Sequence, residues 1–388
     1  MKKTTFIRVA WGIAFVLLLL VLARTFVGNV FHVDSRSMEP TIHGLEDGGE
    51  WVFVRYDQDP PLRNEIVVVQ PASGGDPIVK RVLALPFERV QVLHGDVWVD
   101  DRVLRRVAGD AVARPFVRVF DERVLPLEKS FHMGSTQQNP WTKDGDAWRV
   151  DARSIPAGSD EGLMYLVPRL EDAYFGAKGE LVRGDTTVND AVLECEASCD
   201  GARGRLRFQL TEQGDMFELS IAPKEDGGAL CLLTRRNEGS RLEELATAEL
   251  ARFALGAWHR VRFANVDDEL VVDVDGARVF AHAYAGNEFH PVDERREGIS
   301  IGARVLLGAE ECVARFRGVR IERDLFYTGL GAHGTKAEAR LGADELFLLG
   351  DNSAHSSDSR QFGPVPRSRL VGRAVAVVWP PSRWRRLE

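Results

Sequence analysis

Short runs in which apolar and polar residues alternate recur along this chain and constrain its fold more than any other feature. A period of two puts successive side chains on opposite faces of a strand, as in half-buried antiparallel sheets. In the middle of the chain such strand-like runs cover residues 191–197, 205–210, 216–221, 229–234, 258–265, 269–275, 278–284, 298–303 and 313–322. Asp275-Gly276 separates two of them and predicts a tight hairpin. On either side of this block, Trp51-Val52-Phe53-Val54, Ile66-Val67-Val68-Val69, Leu346-Phe347-Leu348-Leu349 and residues 370–379 also read as strands. Val90-Gln91-Val92 and Val97-Trp98-Val99 flank a turn at His94-Gly95-Asp96. Residues 242–255 are the exception: their Ala, Glu and Leu content predicts a short helix. The chain is expected to be mostly β.

At 388 residues the length suggests two or three domains. A hydrophobic content of 44% with 28% charged residues fits a globular chain. The net charge of −8 excludes general nucleic-acid binding, which needs basic faces. Cys195, Cys199, Cys231 and Cys312 all fall in the middle block. They are read either as one or two disulfides of unassigned pairing or as small buried residues.

Residues 6–27 are strongly apolar, with no charge from 9 to 23, and follow Lys2 and Lys3. As a helix this stretch is about 33 Å long, enough to cross a bilayer. Arg8 and Arg24 can snorkel to the headgroups. The basic start predicts a cytoplasmic N-terminus with the bulk of the chain outside. Val21-Leu22-Ala23 leaves a second reading open, a signal peptide cleaved after Ala23.

Just beyond lies Asp34-Ser35-Arg36-Ser37-Met38-Glu39-Pro40-Thr41. In extended chain Ser35 and Ser37 face the same side. A serine hydroxyl needs a base to become a nucleophile. Lys80 sits among Ile78, Val79, Val82 and Leu83. Burial there lowers a lysine pKa, and the neutral amine can take a proton. Burial is expected to be the first cause of that lowering and Arg81 the second.

These stretches resemble the type I signal peptidases, membrane-bound Ser/Lys proteases. Ser35-Arg36-Ser37-Met38-Glu39-Pro40-Thr41 is similar to the family's serine motif, and Lys80-Arg81-Val82-Leu83-Ala84-Leu85-Pro86 to its lysine motif. Gly350-Asp351-Asn352-Ser353-Ala354-His355-Ser356-Ser357-Asp358-Ser359-Arg360, with Phe362-Gly363-Pro364-Val365-Pro366, is similar to its C-terminal motif. The resemblance covers roughly residues 1–110 and 340–388. It implies Ser37 as nucleophile, Lys80 as general base, Ser35 as an oxyanion-hole hydroxyl and Ser356 as the group orienting the lysine. Arg81, Asp351, Asp358 and Arg360 would brace the site as buried ion pairs. No metal or cofactor is implied. The substrates would be signal-peptide-bearing precursor proteins, cut after small residues. The chain departs from the family where Ser353-Ala354-His355 replaces Arg-Asp-Asn and where Ala84 and Phe87 replace glycines. The first change removes charge from the scaffold. A Ser-His-Asp arrangement using His355 and Asp351 is the competing reading of the site.

A second, smaller resemblance lies in the middle block. Trp258-His259-Arg260-Val261-Arg262-Phe263 ahead of the Asp-Gly hairpin resembles concanavalin-like (laminin-G-like) sandwiches. Trp258 is read as a sandwich-core aromatic, and the sequence names no ligand for the block. The expected organisation is a transmembrane anchor (1–28), a signal-peptidase-like β catalytic domain in two parts (29–110 and 336–388) and an inserted antiparallel β-sandwich (111–335). The expected location is the cell membrane, single-pass, with the catalytic domain on the outer face and the lipid bilayer as a partner. The competing reading is a membrane-tethered binding protein with an inactive peptidase fold.

Overall fold

The computed structural model describes residues 8, 11, 13–15, 27–44, 48–56, 59–105, 114–133, 139–166, 170–184, 186–212, 214–237, 241–284 and 303–387. Strands dominate it. Among the described residues no helix is long and apolar enough to cross a membrane. The apolar span expected over residues 6–27 and the Ala23 cleavage point lie almost wholly outside the described residues.

The chain divides into two compact units, residues 1–115 with 326–388, and residues 116–325. The sequence reading placed these junctions at 110/111 and 335/336. The later one moves because residues 326–335 bond into the first unit. Tyr327 N donates to Gly95 O, and Val92 N donates to Gly334 O at 2.7 Å.

In the first unit the main sheet is antiparallel. Gly28–His32 pairs with Trp51–Arg55, which pairs with Leu370–Trp379. Ile66–Val69 follows, then Ile78–Ala84, then Glu345–Leu349. Strands from both ends of the sequence therefore alternate in one sheet, and the motifs at Lys80 and Gly350 are brought together by strand pairing. Ile66–Val69 and Ile78–Ala84 are almost wholly buried. Their Val and Ile side chains supply the shape that a two-sided buried strand needs. A smaller sheet joins Arg89–Leu93, Asp96–Val99, Arg102–Val103 and Ala339–Arg340.

The second unit is a sandwich of one eight-stranded and one seven-stranded sheet, antiparallel at every described pairing. Leu193, Val261, Phe263 and Phe316 from one sheet share a core with Phe208, Phe217, Leu219 and Leu233 from the other. Phe208 meets Phe316 edge-on with ring centroids 6.1 Å apart. At the expected hairpin, Asp275 and Gly276 both have positive φ, the geometry of a type I′ turn.

Three expectations need correction or restriction. Residues 242–250 form a strand, not a helix, paired along Ala229–Arg236. An edge position on a formed sheet outweighs the helix preference of Ala, Glu and Leu. Trp258 is only half-buried, with the Arg317 guanidinium 4.2 Å and the Arg315 guanidinium 5.4 Å from its ring centroid. The core place beside it belongs to Phe253, stacked on His259 at 3.9 Å. The run at 298–303 lies outside the described residues except for Ala303, which is in no strand.

Candidate active site

Ser37 lies in a single 3-10 turn, Arg36–Met38, between extended backbone at Ser35 and at Glu39. The Pro40 that follows cannot continue a helix. Met38 is fully buried and anchors the turn. Lys80 reaches Ser37 from the strand Ile78–Ala84. Its Nζ donates to Ser37 Oγ at 2.8 Å and to Val79 O at 2.9 Å. Ser37 and Lys80 are 6% and 3% exposed. Burial lowers the lysine pKa to about 8; Arg360 pushes the same way, while Asp358 and Asp351 oppose it. Burial is thus the main cause, as expected, but the cationic contribution comes from Arg360 rather than Arg81. A lysine so placed gives up its proton at far lower pH than a solvated one, and the neutral amine can accept the Ser37 proton.

Ser35 Oγ is 3.2 Å from Ser37 Oγ, on the exposed side of the turn. Ser356 is buried, and among the described residues its Oγ has no hydrogen-bond partner. It therefore does not bond Lys80 here, contrary to the role the resemblance implied. The Lys80 amine spends its donors on Ser37 and Val79 O instead. Gly350 lets these groups converge: a Cβ there would lie 2.2 Å from Ser356 Oγ and 2.5 Å from Ser37 O. No side chain fits.

Two buried ion pairs lie in the motifs that carry Lys80 and Ser356. Arg81 grips Asp351 bidentately, Nε to Oδ1 at 2.7 Å and NH2 to Oδ2 at 2.6 Å. Burial disfavours the Arg81 charge, but Asp351 more than offsets this and raises its pKa. Thr41 Oγ1 donates to the same carboxylate, and Asn352 N donates to Ser37 O at 3.0 Å. Arg360 pairs with Asp358 through Nε at 2.9 Å and NH2 at 2.8 Å. Its remaining donors go to Thr328 O, Thr328 Oγ1, Ser353 Oγ and Ser353 O. Ser353, where charge was expected to be lost, thus contributes neutral acceptors to Arg360. Asp358 also caps the helix Ser359–Phe362 and accepts from Gly350 N.

Residues outside the motifs also hold the serine turn. Fully buried Glu50 accepts from Arg385 NH1 at 2.8 Å and NH2 at 2.7 Å, and from His43 N at 3.0 Å. Arg385 NH2 also donates to Thr41 O. Glu50, Arg385 and Thr328 carry no local sequence signal, because their partners are distant in sequence. The competing histidine is not brought in. His355 is exposed, and its Nδ1 is 3.2 Å from Asn352 Oδ1.

The profile of the family described as signal peptidase, peptidase S26 matches residues 6–158 and 320–379, more than half of the chain. The chain belongs to this family. It is 34% identical to signal peptidase I of Leptolyngbya laminosa over 155 residues, covering 38% of this chain and 73% of that one. It is 28% identical to probable signal peptidase I-2 of Synechocystis over 153 residues, covering 38% of this chain and 67% of the relative. Mitochondrial inner membrane protease subunit 2 of Saccharomyces cerevisiae is 43% identical over 49 residues, which span only 13% of this chain and 28% of the yeast protein. Among solved structures, β-agarase A in complex with oligoagarose aligns with 55% of this chain and 94% of its own at 12% identity, TM-score 0.36. A carbohydrate-binding module of Bacillus subtilis aligns with 50% and 95% at 10% identity, TM-score 0.32. At these TM-scores neither likeness bears on function.

An acid limb is expected in the pH profile of this peptidase-family site. Protonating Lys80 removes the proton acceptor, so cleavage should fall as pH drops below about 8. The check is kcat/KM for a peptide substrate across pH; a flat profile from 6 to 9 would contradict it.

Proposed function

We propose that the protein is a membrane-anchored serine endopeptidase that removes signal peptides from exported precursor proteins. The observation that carries this reading is the 2.8 Å contact between Lys80 Nζ and Ser37 Oγ, both buried, with the Asp351 and Asp358 ion pairs in the motifs that carry Lys80 and Ser356. In this reading Lys80 takes the Ser37 proton and Ser37 Oγ attacks the scissile carbonyl. The negative charge developing on the carbonyl oxygen is met by Ser35 Oγ and the Ser37 backbone N–H. Lys80 then gives its proton to the leaving amine and activates the water that releases the acyl-enzyme. Both catalytic groups are side chains of this chain, so the reaction requires no metal or cofactor. The apolar run at residues 9–23, behind Lys2 and Lys3, supports a single-pass anchor with a cytoplasmic N-terminus and the catalytic unit on the outer face. Trp11, Ile13 and Phe15 are exposed, as side chains that contact lipid would be.

The test is cleavage of a precursor peptide by the full-length protein in detergent, with the cut mapped by mass spectrometry. A single cut after a small residue is expected. Ser35→Ala should reduce the rate by about 10²–10³ while leaving the cut position unchanged. An unchanged rate would remove Ser35 from the mechanism. Absence of cleavage by the wild-type protein would instead favour a tethered binding protein.

A further inference from the structure

Residues 41–44 pack against the segment that carries Ser35 and Ser37. Gly44 lies on the Ser35 backbone: a Cβ there would be 2.1 Å from Ser35 O and 2.9 Å from Ser35 N. Ile42 N donates to Met38 O at 2.9 Å, and both side chains share a core with Val33 and Val377. Thr41 is held at two points. Its hydroxyl donates to Asp351, and its carbonyl oxygen accepts from Arg385 NH2. His43 is held by Glu50, whose Oε2 accepts from His43 N at 3.0 Å and whose N donates to His43 O at 2.9 Å. Glu50 and Arg385 close this frame bidentately, NH1 to Oε1 at 2.8 Å and NH2 to Oε2 at 2.7 Å. Arg385 is itself fixed. Its strand, Arg385–Arg386, pairs with Leu370–Trp379, and Leu387 packs on the core that holds Met38. Beyond each other, the two side chains meet Thr41 O, His43 N, Arg383 O and, at 3.5 Å, Arg383 Nε. Among the described residues neither bonds Ser37 or Lys80.

We propose that Glu50 and Arg385 are positioning residues for the cleavage reaction: by fixing Thr41 O and His43 N, the pair holds the Ser37 and Ser35 hydroxyls where the attack needs them. This rests on the reading of Ser37 as nucleophile and Ser35 as oxyanion donor. A guanidinium is planar, so once NH1 and NH2 sit on Glu50 the direction of NH2 toward Thr41 O is set. Glu50 Oε2 receives both this NH2 and His43 N, so one rigid unit fixes two backbone points two residues apart. The bond from Ile42 N to Met38 O then carries that position to the residue beside Ser37. A small displacement of a nucleophile lowers the rate of attack without weakening substrate contacts elsewhere. The charges that set the Lys80 proton are Asp358, Asp351 and Arg360, not this pair. The pair therefore acts on kcat and leaves the acid limb in place.

The test uses the full-length protein in detergent with a precursor peptide. Arg385→Met alone leaves the fully buried Glu50 carboxylate short of its partner and should lower the unfolding temperature. Combining Glu50→Met with Arg385→Met removes both charges and should recover most of that loss. The double variant should nonetheless show kcat lowered by about 10²-fold, with KM and the midpoint of the acid limb unchanged. Wild-type kcat in a double variant, a loss confined to KM, or a shifted acid limb would each overturn the proposal. Arg385→Lys covers the case of a double variant that fails to fold. It keeps Glu50 paired, but one ammonium lacks the fork that also reaches Thr41 O, so kcat should fall by about 10-fold. Wild-type kcat there would equally overturn the proposal. Amide hydrogen exchange over residues 37–43, read by mass spectrometry, reports on the turn without any cleavage. It should quicken in the variants while exchange in Ile66–Val69 stays the same. If the wild-type protein cleaves nothing, the peptidase reading falls and exchange alone decides. Faster exchange would then keep the pair as the anchor of the turn, and unchanged exchange would overturn it.

Discussion

Lys80→Arg should leave no measurable cleavage, and Ser37→Ala should cost at least about 10³-fold in kcat/KM. The arginine keeps the positive charge and the capacity to donate to Ser37 Oγ, but it cannot give up a proton at any working pH. It therefore isolates the proton-accepting role from the charge. Lys80 is 3% exposed, so a larger guanidinium could also disturb packing. Lys80→Met separates these effects. It fills nearly the same space, removes the cost of burying an amine, and should fold at least as well as wild type while remaining inactive. Circular dichroism and thermal unfolding check the fold, and peptide cleavage checks the chemistry. An active Lys80→Arg enzyme would sink the lysine-base mechanism. A Ser37→Ala enzyme keeping more than about a thousandth of the activity would move the nucleophile elsewhere.

The contact between Ser37 and Lys80 was legible in the sequence because each half carries a local signature. Ser37 stands before Met-Glu-Pro, and Lys80 stands in an apolar run that only a buried strand accounts for. The sandwich strands were legible for a similar reason, since alternation is local and each face of a strand has a single fate, one toward the core and one away from it. What escaped notice depends on groups far apart in sequence. Nothing around Glu50 announces a partner at Arg385, and nothing around Thr328 announces Arg360. Thr328 was moreover assigned to the insert, because strand patterning stops near 323 and composition gives no sharper boundary. Strand Leu242–Leu250 was missed because an edge strand with exposed Glu residues has the composition of a helix. Phe87 shows the reverse. Its φ of 70° is the conformation that glycine favours, so the family's glycine there has a backbone reason that this chain overrides with an exposed aromatic.

Asp358→Ala should produce the largest loss of stability among the site residues. Asp358 and Arg360 are both fully buried, and the carboxylate meets the guanidinium at Nε and NH2. Removing it leaves an arginine that cannot deprotonate, buried among the neutral oxygens of Thr328 and Ser353. Breaking one side of such a pair costs about 3–5 kcal/mol, because the remaining charge is uncompensated. The cap on Ser359–Phe362 and the acceptor for Gly350 N are lost with it. For a unit of this size the unfolding temperature should drop by roughly 10 °C. Asp358→Asn retains the shape and one acceptor and should lose less. The same substitutions make a separate prediction about chemistry. Asp358 raises the Lys80 pKa against the lowering effect of burial. Without the carboxylate the amine loses its proton more readily, so the acid limb of the cleavage profile should move to lower pH. Thermal unfolding and kcat/KM across pH test the two effects independently. If Asp358→Asn folds and its acid limb stays in place or moves upward, the carboxylate does not set the lysine, and Asp358 serves the fold alone.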